Sequence, residues 1–334
     1  MMAPESTSHS NGLDKGDSTR HFVAKYEEWI HKSIPESLVM EEDRVETESA
    51  LSENEIFGFK NEIKSLENFL LDRKVYKEFK SLVVLGEYGV GKTTLCQMVF
   101  NNEDVKSVYA PRIWISMYSK EKKEGEDNKV FVLKRILKGL GVEDSIYSEV
   151  VEDAAIKQEA GEIIGETAKE KELSALLYVL NLNLKWKKYL IVFDDVREED
   201  NWNEMLRLDE DQLKVTKWGT HLSDGFPKGS GGRVISTTRD KSLADKLVAK
   251  KHEIHSLWPL SDPQSVWKIY EAEVIKKGKE LPRNDKKCID ELMNKSRGLP
   301  LAAILMAKLD PVFVDDENTE QNGSRQGPTD PDSI

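Results

Sequence analysis

Short uninterrupted apolar runs alternate along this chain with longer stretches in which leucine and valine recur every three or four positions. The runs at 82–85, 112–116, 189–193 and 233–237 are the length of buried strands, and 253–257, with Glu253, His255 and Ser256, is a further strand-like run of mixed polarity. The stretches at 130–140, 150–168 and 172–184 have helical spacing, and in the last Leu173, Leu176, Leu177, Leu180 and Leu184 fall on one face. Strand and helix in alternation predict an α/β protein, a parallel sheet with helices on both faces. No repeat of 20 to 50 residues is visible, which excludes a leucine-rich solenoid. Residues 22–30 carry Phe22, Val23, Tyr26, Trp29 and Ile30 on one helical face, a short helix for the protein's own core or for a partner. The region 200–232, with Trp202, Trp218 and Pro227, reads as a surface excursion with one short helix at 202–208, or as a lid. Both ends, 1–20 and 311–334, are polar and have almost nothing to bury, so they are expected to be disordered tails.

The first strand ends in a motif with a mechanical meaning. Gly86, Glu87, Tyr88, Gly89, Val90, Gly91, Lys92, Thr93 and Thr94 follow G-x-x-x-x-G-K-[ST] and lead into a helix-like stretch. The glycines supply backbone free of Cβ atoms, so that successive N–H groups can converge on a phosphate at a helix N-terminus. Lys92 would reach the β and γ oxygens, and the Thr93 hydroxyl would face Mg²⁺. The run at 187–193 ends in Asp194 and Asp195. Asp194 is the candidate for the Mg²⁺ shell and Asp195 for orienting or deprotonating a water. The run at 233–237 carries Thr237, Thr238 and Arg239 to its carboxyl end, where ligands of open parallel sheets sit. Arg239 is therefore a candidate γ-phosphate sensor.

Composition narrows the setting. The 334 residues are 38% hydrophobic and 33% charged, which suits a compact middle between polar ends. A net charge of −12 argues against a nucleic-acid surface. No apolar run approaches the length of a membrane span, and the N-terminus has no signal-peptide core. Two distant cysteines, Cys96 and Cys288, fit a reducing compartment, cytoplasmic or nuclear. His252 and His255 stand three apart in a strand-like run and so face opposite sides, which reads as structural rather than as a metal pair.

The ordered motifs resemble the NB-ARC module of plant disease-resistance proteins, the signalling ATPases that also include apoptotic regulators. Beside the P-loop, the acid strand and the Gly232–Arg239 strand, Ile113-Trp114-Ile115-Ser116 is similar to the family's W-V-x-V-S element. Leu257 to Tyr270 resembles its third nucleotide-domain motif, and Gly298-Leu299-Pro300-Leu301-Ala302 matches G-L-P-L-A of the helical ARC1 subdomain. Ile56 and Phe57 occupy its adenine-side element, with Phe59 standing where arginine is usual and Arg197 where tryptophan is usual. The resemblance implies a P-loop NTPase domain at 51–257 after an N-terminal helical segment at 21–50, and a small ARC1-like helical subdomain at 258–310. It implies ADP or ATP with Mg²⁺ as ligands, Ile56, Phe57 and Pro300 near the adenine, and a protein partner in immune signalling. The family continues into a winged-helix ARC2 subdomain and leucine-rich repeats, which this sequence does not show; a truncated form is expected. The expected function is an ADP/ATP switch or adaptor in plant defence, at most a slow ATPase. A non-hydrolysing decoy for a larger receptor is the alternative, and a P-loop kinase a further one.

Overall fold

A computed structural model describes residues 44–51, 56–72, 77–123, 125–146, 148–149, 168–200, 219, 221–248, 253–280 and 283–309. The expected helices at 22–30 and 202–208, both expected tails and all of the expected helix at 150–168 except Ala168 lie outside these residues. The chain divides into two compact units at 45/46, and the sheet with its helices belongs to the second, 46–334.

Five parallel strands form one sheet: β1 (Lys80–Leu85), β2 (Arg112–Ser116), β3 (Leu190–Asp194), β4 (Arg233–Thr238) and β5 (Ile254–Ser256), in the order β2-β3-β4-β1-β5. Each of the five expected runs forms a strand; β1 and β3 have apolar cores because both faces are covered, whereas the edge strand β5 carries His255 and Ser256 and is half-buried to exposed. β3 and β4 are buried along their whole length. Alternate side chains of β3 feed two cores. Ile191 and Phe193, with Tyr189 just before the strand, join α4 (Asn128–Gly139) and α5 (Ala168–Leu184) on one face, where Leu176, Leu177, Leu180 and Leu184 are fully buried. Leu190 and Val192 join the opposite core with α1 (Lys60–Leu71), α2 (Lys92–Phe100) and α3 (Glu103–Val108).

The sequence after the sheet folds into α7 (Pro263–Lys276), α8 (Lys286–Ser296) and α9 (Pro300–Lys308), which pack on one another and contribute Trp267, Leu292 and Ala303 to that second core. The fold is thus an α/β P-loop NTPase sheet with helices on both faces, followed by a small helical portion. A short helix, α6 (Lys241–Leu247), starts from an Asp240 cap between β4 and β5.

Local chemistry explains most helix starts. Asn102, Asp127, Asp240, Asp262 and Asp285 each accept from amides of the following first turn. α2 differs: its N-cap is Gly91, left-handed and with no capping side chain. Residues 46–50, read from the sequence as the end of an N-terminal helical segment, carry no helix.

Candidate nucleotide-binding site

The sheet order decides which groups meet. β4 lies between β1 and β3, so the loop that follows β1, the acids that end β3 and the Thr237–Arg239 end of β4 converge at one edge. The loop 86–91 is gripped from outside. A Cβ on Gly86 would come within 2.7 Å of the Leu257 carbonyl, one on Gly89 within 2.6 Å of Leu301, and one on Gly91 within 2.9 Å of the Phe59 ring. Gly89 and Gly91 also hold φ of 74° and 104°, open to glycine without strain. Leu301 N donates to Gly89 O at 3.2 Å. The loop is therefore held by the segment after β5, by the start of α9 and by Phe59. Phe59, in the place of the usual arginine, is 95% buried and acts as an apolar wall of the loop.

Lys92 begins α2 and turns back over the loop, its Nζ donating to Gly86 O and Glu87 O at 2.9 Å each. Burial, reinforced by the Arg239 charge, lowers its pKa from 10.5 to about 8 against the pull of Asp195 and Asp194. Asp194 is fully buried and accepts from hydroxyls on three separate elements. Thr237 Oγ1 donates to Oδ1 at 2.7 Å, Thr93 Oγ1 to Oδ2 at 2.9 Å and to Oδ1 at 3.2 Å, and Thr47 Oγ1 to Oδ2 at 2.9 Å. Burial raises the Asp194 pKa and these donors oppose the rise. Thr93 and Asp194 offer hard oxygen ligands side by side behind the loop, a donor set that fits Mg²⁺. The uncapped α2 N-terminus and the Lys92 ammonium fit a phosphate.

The neighbouring acid has a different environment. Asp195 holds φ 62° and its amide donates to Thr237 Oγ1 at 2.8 Å. Its carboxylate accepts from Arg197 Nε at 3.2 Å and lies 3.5 Å from Arg239 Nε. Arg239 in turn sits 4.3 Å from the ring centroid of Tyr88, a cation–π contact onto the loop itself. Ile56 and Phe57 directly precede Gly58 and Phe59, and the Phe57 ring receives Lys268 of α7 at 5.7 Å. Pro300 opens α9 one residue before Leu301, as the first helical position allows. The two segments expected at the adenine end are thus both anchored to the loop through a neighbour. His255 lies half-buried in β5, and His252 is outside the described residues.

Sequence reasoning missed Thr47, the Phe59 wall and the pairing of Arg197 with Asp195. Thr47 sits in a polar run with no motif. Phe59 and Arg197 were visible only as departures from a pattern.

A parallel sheet whose first strand runs through a glycine loop into an uncapped helix, with an acid two strands away against the helix's first threonine, defines a P-loop NTPase. The chain belongs to the NB-ARC family, whose domain matches residues 59–280. It is 63% identical over 334 residues to "Probable disease resistance protein At5g45440" of Arabidopsis thaliana, covering 99% of this chain and 96% of that protein. It is 68% identical over 302 residues to "Probable disease resistance protein At5g45490" of the same plant, covering 87% and 84%. Similarity extends to "Disease resistance protein RPP13", also of that plant, at 30% over 257 residues, 77% of this chain and 26% of that protein.

Proposed function

We propose that this protein is a nucleotide-dependent switch of plant defence signalling that binds ADP or ATP with Mg²⁺ at the edge built by Lys92, Thr93 and Asp194. The observation that carries the reading is the joint placement of these three with an α2 N-terminus that no side chain caps. Loop amides and Lys92 would hold the phosphates, Thr93 and Asp194 the metal, and the 56–57 and Pro300 segments the adenine. Bound Mg²⁺ supplies positive charge to the β and γ oxygens. Arg239, one contact from the loop, would exchange its Asp195 pairing for a γ-phosphate, and the same exchange would release Asp195 to orient a water. Hydrolysis on this reading is slow, because both groups begin engaged with each other. The output is conformational, and a ligand moves such an equilibrium only by its difference in affinity between states. A reducing compartment suits the two free cysteines. Among the described residues no helix is long and apolar enough to cross a membrane.

Isothermal titration calorimetry of ADP and ATP against the wild type and Lys92→Ala tests the assignment. Loss of a charge-assisted contact should weaken both ligands by roughly tenfold or more. Equal affinities would remove Lys92 from the site, and no binding by the wild type would leave an interaction module that does not use nucleotide.

A further inference from the structure

The segment at 46–49 has no regular secondary structure, yet its four successive residues are tied to α2, α4, β2, β3 and the loop at Lys120. The Glu46 carboxylate accepts from Arg135 of α4 at 3.2 Å and from the Lys120 amide at 3.3 Å. The Glu48 carbonyl accepts from Gln97 Nε2 and the Ser49 carbonyl from Asn101 Nδ2, both at 2.6 Å along the flank of α2. Between these anchors Thr47 is placed on the metal-side carboxylate. It donates to Asp194 Oδ2 and accepts from the Trp114 indole of β2 at 3.2 Å. This strap follows directly on the first 45 residues, at the boundary between the chain's two compact units.

A carboxylate has about four acceptor positions on two oxygens. Here both oxygens are occupied: Oδ1 by Thr237 and Thr93, Oδ2 by Thr93 and Thr47. Three hydroxyl protons, that of Thr93 shared between the two oxygens, leave Asp194 little free acceptor capacity, and an ion or an ion-bound water that takes Oδ2 competes there with Thr47 and Thr93. Thr237 is fixed within β4, 99% buried, and also receives the Asp195 amide. Thr93 is the first-turn residue of α2 and supplies a ligand oxygen itself. Thr47 alone of the three stands on an irregular segment, and it takes the same Oδ2 that Thr93 touches most closely.

We propose that residues 46–49 are a strap that Mg²⁺ displaces, with Thr47 holding on Asp194 the position that the metal shell requires. Metal-nucleotide loading and release of the strap are then one event. The inference rests on the nucleotide-binding reading above and adds to it a competitor built into the protein.

The test measures ADP affinity of the full chain across a Mg²⁺ series, together with cleavage after Glu46 and Glu48 by a glutamate-specific protease. In the wild type, Mg²⁺ with ADP should accelerate that cleavage, while ADP with chelator should not. Thr47→Val keeps the shape and removes the donor. The Mg²⁺ concentration for half-maximal gain in ADP affinity should fall by about tenfold, the scale of one hydrogen bond to a charged group. Gln97→Ala, which frees the Glu48 anchor on the surface of α2, should shift it in the same direction and covers the case in which the first variant does not fold. An unchanged or higher Mg²⁺ requirement in the folded variants, the latter being the mark of a Thr47 that helps hold the ion, would overturn the strap. So would cleavage indifferent to Mg²⁺. A wild type that binds no ADP overturns the nucleotide reading and the strap together, whereas ADP binding with a Thr47→Val chain that behaves as wild type overturns the strap alone.

Discussion

Lys92 is held near neutrality's upper edge by opposed influences, and this gives the site a signature in pH. With burial and Arg239 lowering its pKa to about 8, the ammonium prevails at pH 7 but is lost soon above it. Nucleotide phosphates favour the ammonium, so above pH 8 binding must take up a proton, and ADP affinity should fall by up to about tenfold per pH unit. The unliganded fold responds with the opposite sign. The folded group releases its proton near 8 and the unfolded one near 10.5, so the cost of burying the charge is complete below pH 8 and relieved as pH rises through that window. Calorimetry from pH 7 to 9.5 should show the slope in the wild type, and a Lys92→Met protein should bind weakly without it; equal slopes would place the titrating group elsewhere. The two acids should separate as well. Asp194→Ala should abolish the Mg²⁺ dependence of ADP binding. Asp195→Ala, which removes a partner of Arg197 and Arg239, should leave ADP affinity within about twofold while lowering phosphate release, as expected of a residue outside ground-state binding. Identical behaviour of the two variants in both assays would refute the division of roles.

Among the elements, backbone approach matters more than composition. Gly298 and Gly278 both hold left-handed φ, 74° and 64°, but a Cβ on Gly298 would lie 2.1 Å from the Leu260 carbonyl while one on Gly278 meets nothing within 4 Å. Gly298→Ala should therefore cost about 3 kcal/mol or more, combining strain with a clash against a rigid backbone. Gly278→Ala should cost only about 1 kcal/mol, the strain alone. Thermal unfolding of the two variants checks this, and equal losses would show that the G-L-P-L-A glycine serves conformation only. The same contrast explains what could be read in advance. β1 and β3 were legible because burial on both faces leaves an apolar run, and the edge strand β5 only as a strand-like run of mixed polarity, yet the expected span of every strand falls within a residue or two of the observed one. That the loop, Asp194 and Arg239 would lie together was legible because each ends or follows a strand of one parallel sheet, whose carboxyl ends share an edge. The short helices α3 and α6 offer too few turns for a periodicity, and their starts are marked only by the Asn102 and Asp240 caps. Thr47 was not legible at all: one threonine among glutamates and serines acquires meaning only when the chain returns it across β3 to Asp194.

At the scale of the molecule, the phosphate loop is a meeting point of distant sequence. Phe59 from before β1, Leu257 from after β5 and Leu301 from α9 close on three glycines of one short loop. Leu260 N donates to Gly298 O at 2.9 Å, which joins the last two of these segments behind it. A ligand that binds only the native loop stabilises everything that must be in place to form it, by about 2.7 kcal/mol at a hundredfold excess over Kd. Local opening of those segments should be suppressed in proportion. Hydrogen exchange with and without saturating Mg²⁺ and ADP should therefore show protection at 86–100, again at 56–70, and again at 298–308. The last two are regions more than two hundred residues apart that share no contact with the P-loop motif in sequence. The strap should move in the other direction, with 46–51 exchanging at least as fast in the loaded protein. Protection confined to 86–100 would mean that Phe59 and Leu301 touch the loop without being coupled to its ligand, and a nucleotide site so isolated would have no means of passing its state to the rest of the fold.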